Sequence, residues 1–203
     1  LKVTAKVWKK EKEMLPIALE KIVEIVGAKG TTVSEKVLRV VTDSRQIQVG
    51  DLFVALCGEK FDGHNFVKDV LAQGAVAVVV NHLIADVEPK RQIVVSDTLK
   101  AYGLIGAYYR SQFRGTVIGL TGSAGKTTTK EEIKFALSLF GKVYATEGNH
   151  NNNVGVPLTL CNLDETADFA VIEMGMSAKG EIEELVGYVK PDIAIVTNVY
   201  PMH

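Results

Sequence analysis

Val117-Ile118-Gly119-Leu120-Thr121-Gly122-Ser123-Ala124-Gly125-Lys126-Thr127-Thr128-Thr129 is the stretch on which the reading of the whole chain turns. An apolar run enters a glycine-rich turn, then Gly-Lys-Thr, then residues with helical spacing. Glycines let backbone N–H groups turn inward and approach an anion with no Cβ in the way. The following helix adds its unsatisfied N-terminal N–H groups and the positive end of its dipole. Lys126 supplies a mobile point charge for β- and γ-phosphates, and the Thr127 hydroxyl stands where it can ligate Mg²⁺. The standard phosphate loop has glycine where this chain has Leu120, so the loop here is the shorter Gly-x-x-Gly-Lys-Thr. The competing reading is a glycine-rich strand–helix turn with an incidental lysine. The strand before it and the helix after it favour phosphate.

Outward from the loop, helical and strand patterns alternate along the chain, the signature of an α/β fold. Upstream, Leu15, Leu19, Ile22, Val23 and Val26 define one helix face, with Pro16 near its start and Gly27 just past its end. The charged run Lys9-Lys10-Glu11-Lys12-Glu13 before it reads as a solvated lead-in. Strands are expected at 37–41, 52–56, 75–80 and 92–95, with a helix over 65–73. Asp97 is the expected N-cap of a helix burying Ala101, Leu104, Ile105 and Tyr108. The polar stretch Arg110-Ser111-Gln112-Phe113-Arg114-Gly115 separates two such patterns, so a domain boundary is placed at residue 114. The first domain is expected to fold alone around its own mixed sheet. Beyond the boundary come a strand at 116–121 and a half-buried helix using Ile133, Ala136, Leu137 and Phe140. A strand at 169–174 follows, then a helix burying Ile182, Leu185, Val186 and Val189, stopped by Pro191, and a last strand at 193–197. These strands are nearly all apolar, as when helices cover both faces of a parallel sheet.

Composition narrows the class. The chain has 203 residues, 47% of them hydrophobic and 23% charged, which excludes a disordered chain. Lys plus Arg is 23 against 24 for Asp plus Glu, and that balance argues against a nucleic-acid binder. No apolar run approaches a membrane span, and no secretory signal opens the chain. Cys57 and Cys161 are too few and too far apart for a disulfide framework. A cytoplasmic monomer is expected. The start at Leu1 and the stop at His203, directly after a strand of buried type, read as the ends of a segment of something longer.

A metal beside the phosphates needs a second protein oxygen. Glu173 ends the apolar run Phe169-Ala170-Val171-Ile172, and a buried parallel strand delivers its carboxylate to the carboxyl edge of the sheet, where ligands bind. A surface glutamate at a strand end is the alternative. His203 stands beyond the last strand on the same edge and is read as either solvated or part of the site. His64, His82 and His150 have no companion at metal-ligand spacing and default to structural or surface roles.

At these residues the chain resembles the Mur ligases, ATP-dependent amide-forming enzymes of bacterial cell-wall precursor synthesis. The loop Thr121-Gly122-Ser123-Ala124-Gly125-Lys126-Thr127-Thr128 is similar to that family's phosphate loop. Thr42-Asp43-Ser44-Arg45, Gly50-Asp51-Leu52-Phe53-Val54-Ala55-Leu56 and Phe61-Asp62-Gly63-His64 resemble its amino-terminal UDP-binding domain. The asparagine-rich run Gly148-Asn149-His150-Asn151-Asn152-Asn153-Val154-Gly155-Val156-Pro157 and the strand ends Glu173-Met174-Gly175-Met176 and Thr197-Asn198-Val199-Tyr200-Pro201-Met202-His203 extend the likeness. The resemblance covers nearly everything from Thr42 onward. It implies a small α/β domain over residues 1–114 that binds the UDP-muramoyl substrate. Part of an ATP-binding, P-loop ATPase-like parallel-sheet domain then follows over residues 115–203, and a carboxy-terminal domain lies beyond His203.

The chemistry so implied is acyl activation. A carboxylate of UDP-N-acetylmuramoyl-tripeptide attacks the γ-phosphate of ATP, and the amine of D-alanyl-D-alanine then displaces phosphate from the acyl phosphate. Gly122, Ser123, Ala124, Gly125, Lys126, Thr127 and Thr128 would bind ATP, with Lys126 catalytic. Thr127, Glu173 and His203 would hold Mg²⁺. Ser44 and Arg45 would meet the uridine diphosphate, Arg45 suiting phosphate, with a surface salt bridge as its other reading. Asn151 and Asn152 would hold the sugar–peptide portion, or merely shape a turn, since Asn tolerates left-handed backbone. Cys57 stands where relatives often carry a lysine or other polar residue, which puts one uridine-side contact in doubt. A diaminopimelate- or lysine-adding member of the family, or a non-catalytic nucleotide-binding module, are the alternative functions.

Overall fold

A computed structural model describes residues 16–28, 34–58 and 61–200. Strand β1 (Ile17–Ala18) pairs antiparallel with β2 (Lys36–Val37), and helix α1 (Leu19–Val26) lies between them in sequence. The expected first helix therefore starts later than Pro16 suggested, because Ile17 and Ala18 are drawn into the ribbon; Leu15 and the charged run at 9–13 lie outside the described residues. After β2 come β3 (Arg39–Val41), β4 (Asp51–Val54), β5 (Cys57–Gly58), β6 (Phe61–Asp62), α2 (Val67–Ala72), β7 (Ala77–Val80) and β8 (Gln92–Val94). The single strand expected over 37–41 breaks at Leu38, whose N–H bonds to Gly50 O at 2.9 Å as the chain passes from ribbon to sheet. Strands β3-β4-β7-β8 form a four-stranded sheet in that order. All of its pairs are parallel. The expected mixed sheet is thus a parallel one, and antiparallel pairing is confined to the β1–β2 and β5–β6 ribbons.

Helix α3 (Thr98–Gln112) begins as expected, with the Asp97 carboxylate accepting from Leu99 N and Lys100 N at 2.9 and 3.0 Å. Its buried face is wider than the sequence suggested. Tyr102, Ile105 and Tyr109 enter the core under the first sheet with Leu19 and Ile22, while Leu104 and Ala107 pack against a second core built around Val117, Leu160 and Ile172. Of the tyrosines in α3, Tyr102 and Tyr109 are buried, and Tyr108 is only half-buried. A helix held between two cores has little free surface, so the one-face pattern understates it. The polar stretch after it is a joint as well as a separator. Arg110 donates to Val189 O at 2.8 Å, to Lys190 O at 2.9 Å and to Asp192 at 3.1 Å.

The second half runs β9 (Thr116–Thr121), α4 (Lys126–Leu137), β10 (Val143–Ala145), α5 (Gly155–Cys161), β11 (Phe169–Glu173), α6 (Glu181–Val189) and β12 (Ile193–Val196). Its sheet has the order β10-β11-β9-β12, with every pair parallel. Strand β9 therefore sits between neighbours reached on opposite sides, which opens a crevice at its carboxyl end. Helix α4 covers one face through half-buried Ile133 and Leu137, packed against Ile118, Ala145 and Val171. Ala136 and Phe140, also expected on that face, are exposed, Phe140 because it lies past the helix end. In α6, Tyr188 joins Leu185 and Val189 in the core instead of Val186, and Ile182 is half-buried. Ile193 and Val196 of β12 are exposed rather than covered, because among the described residues β12 is an edge strand. No helix among the described residues is long and apolar enough to cross a membrane.

Candidate functional site

The turn after β9 takes the left-handed backbone its glycines anticipate. Gly122 has φ 141° and Gly125, at the start of α4, has φ 79°. A side chain at Gly122 would also strike the Thr197 hydroxyl. The Lys126 ammonium folds back over the loop and donates to Gly122 O at 2.7 Å. One residue on, Thr127 Oγ1 lies 3.4 and 3.3 Å from the two carboxylate oxygens of Glu173. Glu173 arrives from the end of β11, as its apolar run implied, and is only 1% exposed.

A carboxylate so deeply buried needs partners, since an ion removed from water without them is costly. Asn151 Nδ2 donates to Glu173 Oε1 at 2.8 Å, and Lys130 Nζ stands 3.6 Å from Oε2. Lys130 is itself buried, and its ammonium also lies 3.5 Å from Glu131 and 3.4 Å from Gly148 O. It therefore ties α4 to β11 and to the asparagine-rich loop. The backbone N–H of Glu173 is fixed by Thr146 Oγ1 at 2.9 Å.

The two asparagines divide their work. Asn151 faces the Glu173 carboxylate and accepts the Gly175 N–H on its carbonyl. Asn152 shapes the turn, its Oδ1 accepting from Val154 N at 3.2 Å and Gly155 N at 2.8 Å where α5 begins. Both line a cavity of about 330 Å³ together with Lys126, Gly175, Met176, Ser177 and Glu181. The Ser177 and Ala178 amides hold the exposed Glu181 carboxyl below its usual range. Thr127 and Glu173, next to the cavity residues Lys126 and Asn151, bring oxygen donors together that suit a hard divalent cation, the ligand chemistry Mg²⁺ prefers. His203 lies outside the described residues.

Ser44 and Arg45 sit beyond the carboxyl end of β3, in the short turn Ser44–Gln46 capped by Asp43. Arg45 is largely exposed and grips Asp43 through Nε at 2.9 Å and Nη2 at 2.7 Å. The ion pair weighed against a phosphate contact is thus formed. The Arg45 side chain and N–H hold the Asp43 carboxyl down at about 2.

Near the β5–β6 ribbon, the fold brings together three groups whose sequence spacing gave no hint of a cluster. The ligand atoms of Cys57, Asp62 and His64 lie within 4.8 Å of one another. His64 Nε2 accepts the Asn81 N–H at 3.1 Å, so Nδ1 carries the proton and donates to Asp62 Oδ1 at 2.7 Å. A metal on Nδ1 would force the proton onto Nε2, against the Asn81 N–H. The cluster is a hydrogen-bonded hub, with His82 stacked on His64 at 4.7 Å. Burial and the neighbouring Asp62 push the Cys57 thiol up.

Sequence reasoning missed two residues. Lys130 carries no motif of its own, and the one available signal is its spacing of one helical turn from Lys126, which puts the two on one helix face. Asn198 was quoted only as part of a strand end. Its carboxamide pairs with both backbone groups of Ala124, at 2.9 and 3.1 Å.

A glycine loop at the carboxyl end of the central strand of a parallel sheet places the second half among the phosphate-loop α/β folds. Comparison narrows this further. The profile of the Mur ligase middle domain matches residues 120–203, and that of the Mur ligase family catalytic domain matches residues 36–105. The UDP-N-acetylmuramoyl-tripeptide–D-alanyl-D-alanine ligase of Synechocystis sp. is 46% identical over 176 residues, covering 85% of this chain and 39% of that protein. The solved structure of the Acinetobacter baumannii UDP-N-acetylmuramoylalanyl-D-glutamyl-2,6-diaminopimelate–D-alanyl-D-alanyl ligase superposes with a TM-score of 0.84 at 37% identity, covering 94% of this chain and 43% of that one. MurF ligase from Thermotoga maritima, solved in complex with ADP, gives 0.74 at 35% identity over 79% of this chain and 37% of that one. The chain belongs to the Mur ligase family. It spans 39% of the length of the Synechocystis relative.

Proposed function

We propose that this chain is the UDP-substrate and ATP-binding portion of a ligase that adds D-alanyl-D-alanine to UDP-N-acetylmuramoyl-tripeptide at the expense of ATP. The observation that carries the reading is the meeting of Thr127 and Glu173 beneath the short loop over which Lys126 is folded. The activities for which the relatives are named support the choice of substrates over those of a diaminopimelate- or lysine-adding sister. In the proposed reaction the tripeptide carboxylate attacks the γ-phosphorus, ADP leaves, and the dipeptide amine then expels phosphate from the acyl phosphate.

Phosphoryl transfer of this kind is mostly positioning and charge neutralisation. Amides at the α4 N-terminus, from Gly125 onward, would cradle the phosphates, and Lys126 would exchange its Gly122 carbonyl for the β- and γ-phosphate oxygens. Thr127 and Glu173 would hold Mg²⁺, with His203 completing the set by family likeness. Bound there, Mg²⁺ offsets charge on the phosphate oxygens. Asn151 keeps the Glu173 carboxylate aimed at the site, and Asn152 fixes the turn that forms the cavity wall. Ser44 and Arg45 would receive the uridine diphosphate at the carboxyl end of the first sheet. The cytoplasm suits an ATP-consuming step, and free Cys57 and Cys161 agree with a reducing compartment.

The test is a protein carrying this segment at full family length, supplied with ATP, Mg²⁺, UDP-N-acetylmuramoyl-tripeptide and D-alanyl-D-alanine. ADP, phosphate and the elongated precursor are expected. Turnover with diaminopimelate or lysine on the shorter precursor, and none with the dipeptide, would move the chain to a sister activity. Failure of the chain to bind UDP-N-acetylmuramoyl-tripeptide in calorimetry would favour a plain nucleotide-binding module.

A further inference from the structure

The phosphate loop is held by two different structures along its length. Gly125 O accepts the first intrahelical bond of α4, from Thr129 N at 3.0 Å, so the amides of 125–128 precede the helical ladder. The amides just before them are already engaged. Ser123 N donates to Asn198 O at 3.1 Å, and Ala124 N donates to Asn198 Oδ1 at 2.9 Å. Ala124 O accepts from Asn198 Nδ2 at 3.1 Å and from Thr197 Oγ1 at 2.7 Å. Ser123 Oγ accepts the Tyr200 N–H at 3.0 Å. Every one of these partners lies just past β12, on the far side of the site from Glu173.

We infer that Asn198 is a positioning residue that splits the loop into a tethered half, Ser123 and Ala124, and a ligand-facing half, Gly125 to Thr128. An amide proton that already has a well-aligned acceptor cannot serve a phosphate without losing it. Phosphate oxygens are therefore met by the amides at the α4 N-terminus, while Ala124 keeps the turn open from behind. The carboxamide offers an acceptor to the Ala124 N–H and a donor to the Ala124 carbonyl at once; aspartate keeps the acceptor and loses the donor, and alanine loses both. Of the loop residues the sequence marked for ATP, Ser123 and Ala124 thus act through shape, and Gly125, Lys126, Thr127 and Thr128 through contact. The inference rests on the nucleotide reading above, and it reaches past it by assigning roles amide by amide.

The experiment is residue-resolved hydrogen exchange on the ¹⁵N-labelled chain, without ligand and with MgADP, for the native sequence, Asn198→Ala and Asn198→Asp. In the native chain without ligand, the Ala124 amide should exchange at least tenfold more slowly than those of 125–128. MgADP should slow only the latter group. Asn198→Ala should release the Ala124 amide and weaken MgADP about tenfold or more, whereas Asn198→Asp should keep Ala124 protected. An Ala124 amide that is unprotected without ligand and slowed by MgADP would overturn the inference. So would an Asn198→Ala chain that melts lower yet binds MgADP unchanged, as a residue that only shapes its own turn predicts. If Asn198→Ala does not fold, the native exchange pattern and Asn198→Asp decide. A native chain that ignores MgADP while Ala124 is protected would count against the nucleotide reading alone.

Discussion

Each half of the molecule presents candidate site residues at the carboxyl end of a four-stranded parallel sheet, yet the two ends are electrostatically unlike. At the first, Arg45 and Asp43 pair in the open, where solvent screens them and either can exchange its partner for water. At the second, Glu173 and Lys130 are both almost fully buried, and among the described residues their charges are answered by each other, Glu131, Asn151, Thr127 and a backbone carbonyl. The same strand geometry therefore yields one end that can rearrange around a ligand and one prearranged for it. Preorganised charge is what a transition state uses, since nothing need be reoriented when the charge shifts. An adjustable arginine suits plain recognition of a phosphate group.

The largest expected effect lies at the prearranged end. In the full-length enzyme, Lys126→Ala should cut turnover by about a hundredfold to a thousandfold, the scale for removing one preorganised partner of developing charge. Binding of UDP-N-acetylmuramoyl-tripeptide should be spared, because the proposed function assigns it to the first sheet. Calorimetry showing that the variant also loses the UDP ligand would erase the division between the two ends.

Next comes Lys130→Met, which leaves Glu173 buried without its cation and should destabilise the chain by about 3 kcal/mol in denaturant unfolding. Adding Glu173→Gln should restore much of that loss, because the orphaned charge is gone. Each single variant strands the other's charge, so a lowered melting temperature in Glu173→Gln alone does not separate a structural glutamate from a metal-side one. The Mg²⁺ dependence of rate does, compared between Lys130→Met and the double variant. A midpoint that is the same in both would remove Glu173 from the cation site.

A smaller effect is expected at the open end. Arg45→Ala should leave stability almost unchanged in denaturant unfolding, as solvent screens an exposed pair. Its affinity for the UDP ligand should fall several-fold, and more at low salt than at high salt. An affinity unchanged at low salt would leave Arg45 as a surface ion pair and nothing more.

The contrast also explains what could be read from the sequence. The loop, Glu173 at its strand end, the Asp97 cap and the order of elements all follow from local rules, a run of apolar residues or a glycine at a fixed offset. Lys130 could not be found that way, because its burial comes from the asparagine-rich loop and β11 closing over α4 from elsewhere in the chain. The width of the α3 core face is equally non-local, being set by α5 and α6 on one side and the first sheet on the other. The misjudged exposure of β12 has the opposite origin. Its composition is that of a covered strand, while among the described residues it has a neighbour on one side only. Asn152 illustrates a residue whose two readings compete until the hydrogen bonds are known, and its bonds are those of a turn.

The smallest expected effect concerns acid, and it sharpens the picture of the open half. Hydrogen bonds from the His64 backbone and ring hold Asp62 at about 2, below its ordinary value of 3.8. A carboxyl lowered by folding binds fewer protons in the native chain than in the unfolded one, so its contribution is complete above the unfolded value. It then fades as pH falls through the folded value. The window runs from roughly pH 4 down to roughly pH 2. Asn at position 62 can still accept the His64 N–H bonds but carries no charge to lose. The melting temperature of Asp62→Asn should therefore sit slightly below that of the native chain at pH 6, and the gap should close as pH approaches 2. Asp43 titrates over the same window in both proteins and cancels in the difference. A gap that stays constant from pH 6 to pH 2 would show that Asp62 holds the β5–β6 ribbon by shape alone, leaving the partly buried Arg39–Asp51 pair as the ion pair on which the fold of the open half depends.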